Sequence, residues 1–330
     1  MARYSIGMKI CVFGAGAVGG HIAARLAAKG HDVSIVARGP HLAAIEKNGL
    51  KLLHGDEVIQ GKVRTANPEK QDFVIVALKA NLLDTFAENA APLLGPETAV
   101  VFAQNGIPWW YGLHAKAPDL SMLDPGKKLS KAIDPRRIIG GVVYSANEVV
   151  EPGVIMNHVP NNNMLVVGEV DDRQSSRISK LREALEQSGM SSPVAPDIRA
   201  VIWSKLIQNL ATAPLCTLTG ATVAQVRADP GLSSLSKKIA EEGRAIAQAY
   251  GINLALVPQR PGGSQSTAAL HHKPSMLQDF ERGRPMEVAS LLLTPLPFAK
   301  GANLPAPALE SVVSLIAYRA AEKGLFRPAA

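Results

Sequence analysis

The first third of the chain alternates short, unbroken apolar runs with longer segments of helical character. Lys9–Phe13, Asp32–Ala37, Phe73–Leu78 and Ala99–Phe102 are the apolar runs. Runs with no polar alternation suit strands covered on both faces, as in a parallel sheet. Between the first two, an alanine-rich segment reads as a helix to about Lys29, with Gly30 as its cap. This β-α-β order predicts a doubly wound α/β fold. From Pro108 to Asp134 the pattern breaks down into a long loop or insertion carrying Trp109, Trp110 and Tyr111. Ile138–Ser145 returns to strand. Val154–Met156 and Met164–Val167 read as a hairpin around Asn161-Asn162-Asn163, Ser175–Ser188 as a helix, and Pro193–Ala195 as a short last strand. Beyond Pro196 the periodicity is helical over Ile198–Leu218, Gly231–Tyr250, Ser275–Arg282, Met286–Lys300 and Ala306–Lys323. The expected organisation is an α/β doubly wound domain over 1–196 and an all-α domain over 197–330.

Composition fits that picture. A chain of 330 residues is long enough for two domains. Apolar residues make up 47% and charged residues 19%, the balance of a soluble globular protein. No run approaches the roughly 18–20 apolar residues of a membrane span. The lead MARYSIGMKICVFG lacks the apolar core and cleavage site of a secretory signal. Cys11 falls in a strand and Cys216 in a helix, with no Cys or His spacing that would hold a metal. A reducing, cytoplasmic setting is expected. The net charge is +7, densest at Lys127, Lys128, Lys131, Arg136 and Arg137. That cluster reads as a solvated loop and not a polyanion site, because no nucleic-acid-binding motif surrounds it. A mild positive field favours an anionic cofactor and a carboxylate substrate.

The sharpest motif is Gly14-Ala15-Gly16-Ala17-Val18-Gly19, a GxGxxG between the first strand and the first helix. The first glycine allows the tight turn, the second lets backbone approach a pyrophosphate, and the third lets helix pack on sheet. The motif predicts a dinucleotide site at Gly14, Gly16, Ala17, Val18 and Gly19. The second strand ends in Arg38, where an NAD site usually places an acid. An acid there would repel a 2′-phosphate, whereas an arginine fork pairs with it. Lys79 follows the FVIVAL strand at its carboxyl end, the ligand edge of an open sheet. Arg38 and Lys79 together argue for NADPH, that is, NADP as cofactor.

With these residues in view, the chain resembles the ketopantoate reductase (2-dehydropantoate 2-reductase) family. GAGAVGG at the start, LKA at 78–80, QNG at 104–106, WSKLIQN at 203–209, KPSMLQD at 273–279 and GRPMEV at 283–288 occur in that family's order. The resemblance implies a Rossmann-like domain, a helical C-terminal domain and an active site in the cleft between them. It implies that Lys205 is the general acid and that Glu287 binds and orients the substrate. It implies Asn105, Asn209 and Ser275 as hydrogen-bond donors to substrate or nicotinamide, and Lys79 as a cofactor contact. The implied activity is NADPH-dependent reduction of 2-dehydropantoate to (R)-pantoate, a step of pantothenate biosynthesis.

The local chemistry is compatible. Hydride addition to a ketone creates an alkoxide that a positioned ammonium can stabilise and protonate. Lys205 and Asn209 stand four apart on an expected helix and share a face. Glu287 is expected in the first turn of a helix, two residues after Pro285. Each residue also has a local structural reading. Ser275 and Gln278 fit a capping box, Glu287 complements a helix dipole, Lys205 fits an exposed helix cation, and Asn105-Gly106 fits a plain turn. Three departures from the family pattern bear on the substrate: Ala213 where an asparagine is frequent, Val288–Thr294 after the glutamate, and the aromatic triplet beside QNG. The alternatives are therefore a reductase of a different 2-keto acid in the same family, a related dehydrogenase of 3-hydroxy acids or opines, and an NADPH-binding sensor without turnover. A homodimer is the expected assembly, through the C-terminal helices.

Overall fold

The computed structural model describes residues 7–65, 69–259 and 273–327. These residues form two compact units, each discontinuous in sequence. The first takes the described residues up to Gln104, then Lys128–Ile198 and 258–259; the second takes Asn105–Lys127, Arg199–Val257 and the described residues from Lys273 onward.

In the first unit, chain order runs β1 (Lys9–Phe13), α1 (Ala17–Ala28), β2 (Asp32–Val36), α2 (Gly39–Asn48), β3 (Leu50–His54), β4 (Glu57–Gly61), β5 (Gln71–Val76), α3 (Leu83–Asn89) and β6 (Leu94–Ala103). It resumes with α4 (Lys128–Ala132), β7 (Ile138–Tyr144), β8 (Asn147–Glu151), β9 (Val154–Asn157), β10 (Met164–Glu169) and α5 (Ser176–Gln187). One sheet has the order β10-β7-β6-β5-β1-β2, parallel throughout except for antiparallel β10. This is the doubly wound, Rossmann-like sheet expected from the apolar runs. Ile10, Val12, Val74, Ile75 and Val100 are fully buried, as strands covered on both faces must be.

A second sheet, β4-β3-β9-β8, lies over α1. It explains why α1 is buried without a break from Gly19 to Leu26 and why it is so rich in small residues. A Cβ on Gly20 would meet Ile155 of β9 at 2.8 Å, and one on Gly61 would meet Ala27 at 2.5 Å. The fourth glycine of GAGAVGG therefore serves this sheet and not the ligand turn.

Several expectations are corrected. Val154–Met156 and Met164–Val167 do not pair; they belong to different sheets. The asparagines between them redirect the chain, with Asn157 Nδ2 donating to Asn163 Oδ1 at 2.9 Å and Asn163 Nδ2 to the Pro160 carbonyl. Pro193–Ala195 is not a strand. Pairing stops at a single bridge between Ser191 and Met164, since Pro193 has no N–H to continue it. The 108–134 stretch holds short 3₁₀ turns at Ser121–Leu123 and Pro125–Lys127, then α4.

The second unit contains α6 (Ile198–Thr219), α7 (Val223–Ala228), α8 (Pro230–Ala249), α9 (Ser275–Glu281), α10 (Pro295–Gly301) and α11 (Pro307–Glu322). Among the described residues no helix is long and apolar enough to cross a membrane. The aromatic triplet is chiefly core here. Trp110 and Tyr111 are buried, and Tyr111 accepts a hydrogen bond at 2.8 Å from the buried Trp203 indole. Phe298 meets Tyr111, Trp203 and Tyr250 edge-on at 4.8–5.4 Å. Arg199 donates to the carbonyls of Tyr111 and Leu113, fixing the segment that follows QNG.

The helix expected over Met286–Lys300 is broken into parts. Met286 N–H donates to the Leu325 carbonyl, which keeps the residues after Pro285 out of the helix. A π-helical turn follows at Ala289–Leu293, with Thr294 N–H reaching back to the Ala289 carbonyl. Pro295 and Pro297 cannot donate to the carbonyls one turn before them, so the regular α ladder is unavailable there.

Candidate functional site

The first unit carries a cavity of about 1080 Å³ at the carboxyl ends of β1, β2 and β5. This is the edge where open α/β sheets bind ligands, and the volume is at the top of the usual small-molecule range. Its floor is the glycine turn, and the three glycines divide the work as the motif predicts. Gly14 has φ +101°, and a Cβ there would meet Leu78 at 2.7 Å; its N–H and that of Ala15 both donate to the Val36 carbonyl. Gly16 faces open space, with nothing within 4 Å of a Cβ. At Gly19 a Cβ would fall 1.9 Å from the Gly14 carbonyl, so only glycine lets α1 start this close to the strand. Ala17 and Val18 are half-buried in the first turn of α1 and, like Gly19, do not belong to the cavity wall. The helix N-terminus and an open Gly16 are what an approaching pyrophosphate requires.

Arg38 and Lys79 both line the cavity. Arg38 is exposed at the N-cap of α2, and among the described residues it makes no ion pair. Lys79 is half-buried and follows β5. Residues with no sequence signal complete the wall: Ser34, His41, Thr65 and Val149–Pro152, the end of β8 and the start of its turn into β9. That turn depends on long-range pairing of the second sheet, which local patterning does not reveal. Cys11 also lines the cavity, but burial pushes its thiol up to about 11, so it packs as a small apolar group. The basic cluster is spoken for in part: Lys128 pairs with Asp84 and Glu88, Arg136 with Asp134, and Arg137 donates to the carbonyls of Gly95 and Thr98.

The remaining candidates belong to the second unit. Trp203, Leu206, Ile207 and Leu210 bury one face of α6, and the opposite stripe contains half-buried Lys205, Asn209 and Thr212. The shared face of Lys205 and Asn209 is thus observed. Ala213, the departure from the family asparagine, is buried. Asn105 is half-buried and leads into Gly106, whose φ is +84° and whose Cβ would lie 2.5 Å from the Ser290 carbonyl. Ile107 N–H donates to that same carbonyl at 2.9 Å. The Asn-Gly turn therefore docks on the π-helical turn just after Glu287, and only glycine permits the approach. Asn105 Oδ1 and Ser290 Oγ are buried there without a hydrogen-bond partner among the described residues. Buried polar atoms of that kind are usually satisfied by something.

Two local readings are corrected. Glu287 is not in a first helical turn. It precedes the first helical residue, Val288, and its carbonyl accepts from Leu291 N–H at 3.2 Å. Ser275 forms no capping box, because the N-cap is Pro274, which has no N–H to return. Gln278 instead donates to the Lys273 carbonyl at 3.0 Å. Ser275 is exposed at the start of α9.

Comparison with known proteins identifies the family. Residues 10–172 match the family described as ketopantoate reductase PanE/ApbA, and residues 197–320 match its C-terminal counterpart. A 2-dehydropantoate 2-reductase of Mesorhizobium japonicum is 41% identical over 329 residues, covering 97% of this chain and 100% of that protein. A Ralstonia solanacearum crystal structure assigned to the ketopantoate reductases has a TM-score of 0.85 at 31% identity, covering 97% of this chain and 100% of that one. A D-mandelate dehydrogenase complex with NADH and anilino(oxo)acetate shares the fold, with a TM-score of 0.81 at 19% identity, over 96% of this chain and 100% of that one. The chain belongs to the ketopantoate reductase family.

Proposed function

We propose that this protein reduces 2-dehydropantoate to (R)-pantoate with NADPH, with Lys205 as the general acid. The observation that carries the reading is the cavity at Gly14–Gly16, open where a pyrophosphate must approach and bordered by Arg38 and Lys79, in a chain of this family. NADPH, when bound, supplies the hydride that reduces the keto carbon. Arg38 holds the 2′-phosphate by a charged fork, and Lys79 adds a second cation. The Lys205 ammonium stabilises negative charge growing on the keto oxygen and gives that oxygen its proton. Asn209, on the same face of α6, and Ser275 donate hydrogen bonds to the substrate. Glu287 accepts from a substrate hydroxyl, and Asn105 presents its carboxamide to substrate and nicotinamide. The protein works in the cytoplasm as a homodimer in this reading.

A second reading keeps the chemistry and changes the acid. Ala213 and the Val288–Thr294 run, in which Leu291 and Leu292 are buried, depart from the more polar family pattern, which favours a bulkier, more apolar 2-keto acid. One assay separates the two: purified protein, NADPH, and 2-dehydropantoate beside aliphatic and aromatic 2-keto acids, followed by NADPH absorbance. The first reading predicts the highest kcat/KM with 2-dehydropantoate, and a higher value with an aromatic acid contradicts it. In the same assay Lys205→Ala loses about 10²-fold or more in kcat, the scale of a missing general acid. Unchanged turnover would remove Lys205 from the mechanism.

A further inference from the structure

His41 stands in the first turn of α2, three residues after Arg38, on the wall of the cofactor cavity. Its ring is engaged on both sides. Nδ1 lies 3.0 Å from the Gly153 amide nitrogen, and Nε2 lies 2.7 Å from the Ala15 carbonyl oxygen. An amide N–H only donates and a carbonyl only accepts. Nδ1 is therefore the bare nitrogen, and Nε2 carries the proton. With both nitrogens committed, the ring has no donor or acceptor left for a ligand.

We infer that His41, in this one tautomer, is a positioning residue that locks the Ala15–Gly16 peptide in its dinucleotide-binding orientation. The inference rests on the reading of the cavity as the dinucleotide site. A trans peptide points its C=O and N–H in opposite directions, so holding the Ala15 oxygen toward His41 turns the Gly16 N–H away from it. The Gly16 side of this peptide does little to select that orientation. No atom lies within 4 Å of a Cβ built on Gly16, and glycine accepts either sign of φ, so position 16 itself offers little resistance to a flip of this peptide. A flipped peptide would aim a carbonyl oxygen into the cradle meant for phosphate oxygens. The His41 proton opposes the flip by holding the carbonyl.

The other end of the clamp is anchored. Gly153 lies in the β8–β9 turn with φ +82°, its carbonyl accepts from Lys51 N–H of β3 at 3.0 Å, and a Cβ on it would press Ala44 of α2 at 3.3 Å. The second sheet thereby acquires a role: it braces the glycine turn through one imidazole. Arg38 and His41 share the start of α2, so one element carries both the expected phosphate fork and the clamp.

The test compares the full-length wild type with His41→Phe, which keeps a ring without hydrogen bonds, and His41→Gln, whose amide can still donate to the Ala15 carbonyl. NADPH dissociation constants are measured by fluorescence titration without keto acid, beside melting temperatures and KM values. The phenylalanine variant is expected to bind NADPH about tenfold more weakly, the scale of one buried hydrogen bond. The loss should fall on KM for NADPH and not on KM for the keto acid, and the glutamine variant should recover part of it. Binding within about twofold of wild type in His41→Phe overturns the inference while leaving the cavity reading intact. A wild type that binds no dinucleotide overturns both. Should the variants fail to fold, ¹⁵N spectra of the wild-type histidines decide: His41 protonated on Nε2 is expected, and an Nδ1–H tautomer overturns the inference.

Discussion

Two glycines only three residues apart make opposite demands, and that difference is measurable. A methyl at position 16 meets nothing, whereas one at position 19 falls 1.9 Å from the Gly14 carbonyl. Gly16→Ala should keep its melting temperature within a few degrees yet lose NADPH binding, because the methyl occupies the approach path of the pyrophosphate. Gly19→Ala should lose both binding and stability, since α1 must move away from β1. Equal melting losses in the two variants would refute this division of labour. Arg38→Glu should lower the NADPH-over-NADH preference in kcat/KM by about tenfold or more, as a charged fork on the 2′-phosphate is replaced by a repelling carboxylate. An unaltered ratio removes Arg38 from phosphate recognition. At this scale the sequence is highly informative. The glycine turn, Arg38, Lys79 and the α6 pair are marked by local spacing, which the chain order displays. His41 is different, because its two partners are a backbone carbonyl and a backbone amide 26 and 112 residues away. No side-chain pattern announces such partners.

Among the elements, α1 is the one whose surroundings the sequence conceals. It is sandwiched between the parallel sheet and the second sheet, and it carries a buried cation there. Arg25 donates to His21 Nε2 at 2.9 Å and to the Ser188 carbonyl at 3.1 Å, and its other nitrogen lies 3.0 Å from His54. Burial first, then Arg25 and His54, push the His21 imidazole down to about 3. His54 is lowered as well, by burial and by Arg25. A histidine that cannot take a proton in the fold lets the unfolded chain bind more protons between pH 6.5 and about 3. The stabilisation is complete above the ordinary imidazole value and is lost as pH falls below it. At pH 5, His21 alone should remove about 2 kcal/mol, or roughly 4–8 °C of melting temperature. Scanning calorimetry from pH 8 to pH 5 tests this, and a flat profile contradicts it. The second sheet is hidden in the sequence because its strands are short and pair across long separations, β3 with β9. A local signal did exist: Gly55-Asp56 joins β3 and β4 as a two-residue hairpin turn, and Gly55 has φ +61°. The π-helical turn was hidden for a related reason. Its apolar residues fit an ordinary helix, and only Pro295 and Pro297 signal that the ladder cannot continue.

For the whole molecule, the placement of the candidate residues on two sequence-discontinuous units is the main organising fact. The first unit has the glycine cradle and its cations; the second has Lys205, Asn209, Glu287, Ser275 and the docked Asn105 turn. Residues 105–127 group with the C-terminal helices although they lie between strands of the first unit, and the buried Trp110 and Tyr111 account for that. A linear reading sees a loop of aromatics and prolines there, because what those rings bury against comes nearly a hundred residues later, at Trp203. In the proposed reaction a hydride goes to the keto carbon and a proton to its oxygen. Isotope transfer tests it most directly. Purified full-length protein is incubated with NADPH deuterated at C4 of the nicotinamide and with 2-dehydropantoate, and the product is read by mass spectrometry and NMR. The account predicts (R)-pantoate carrying one deuterium at C2 from the stereochemically matching cofactor. NADPH that stays reduced, or pantoate formed without deuterium from either C4 epimer, would contradict it.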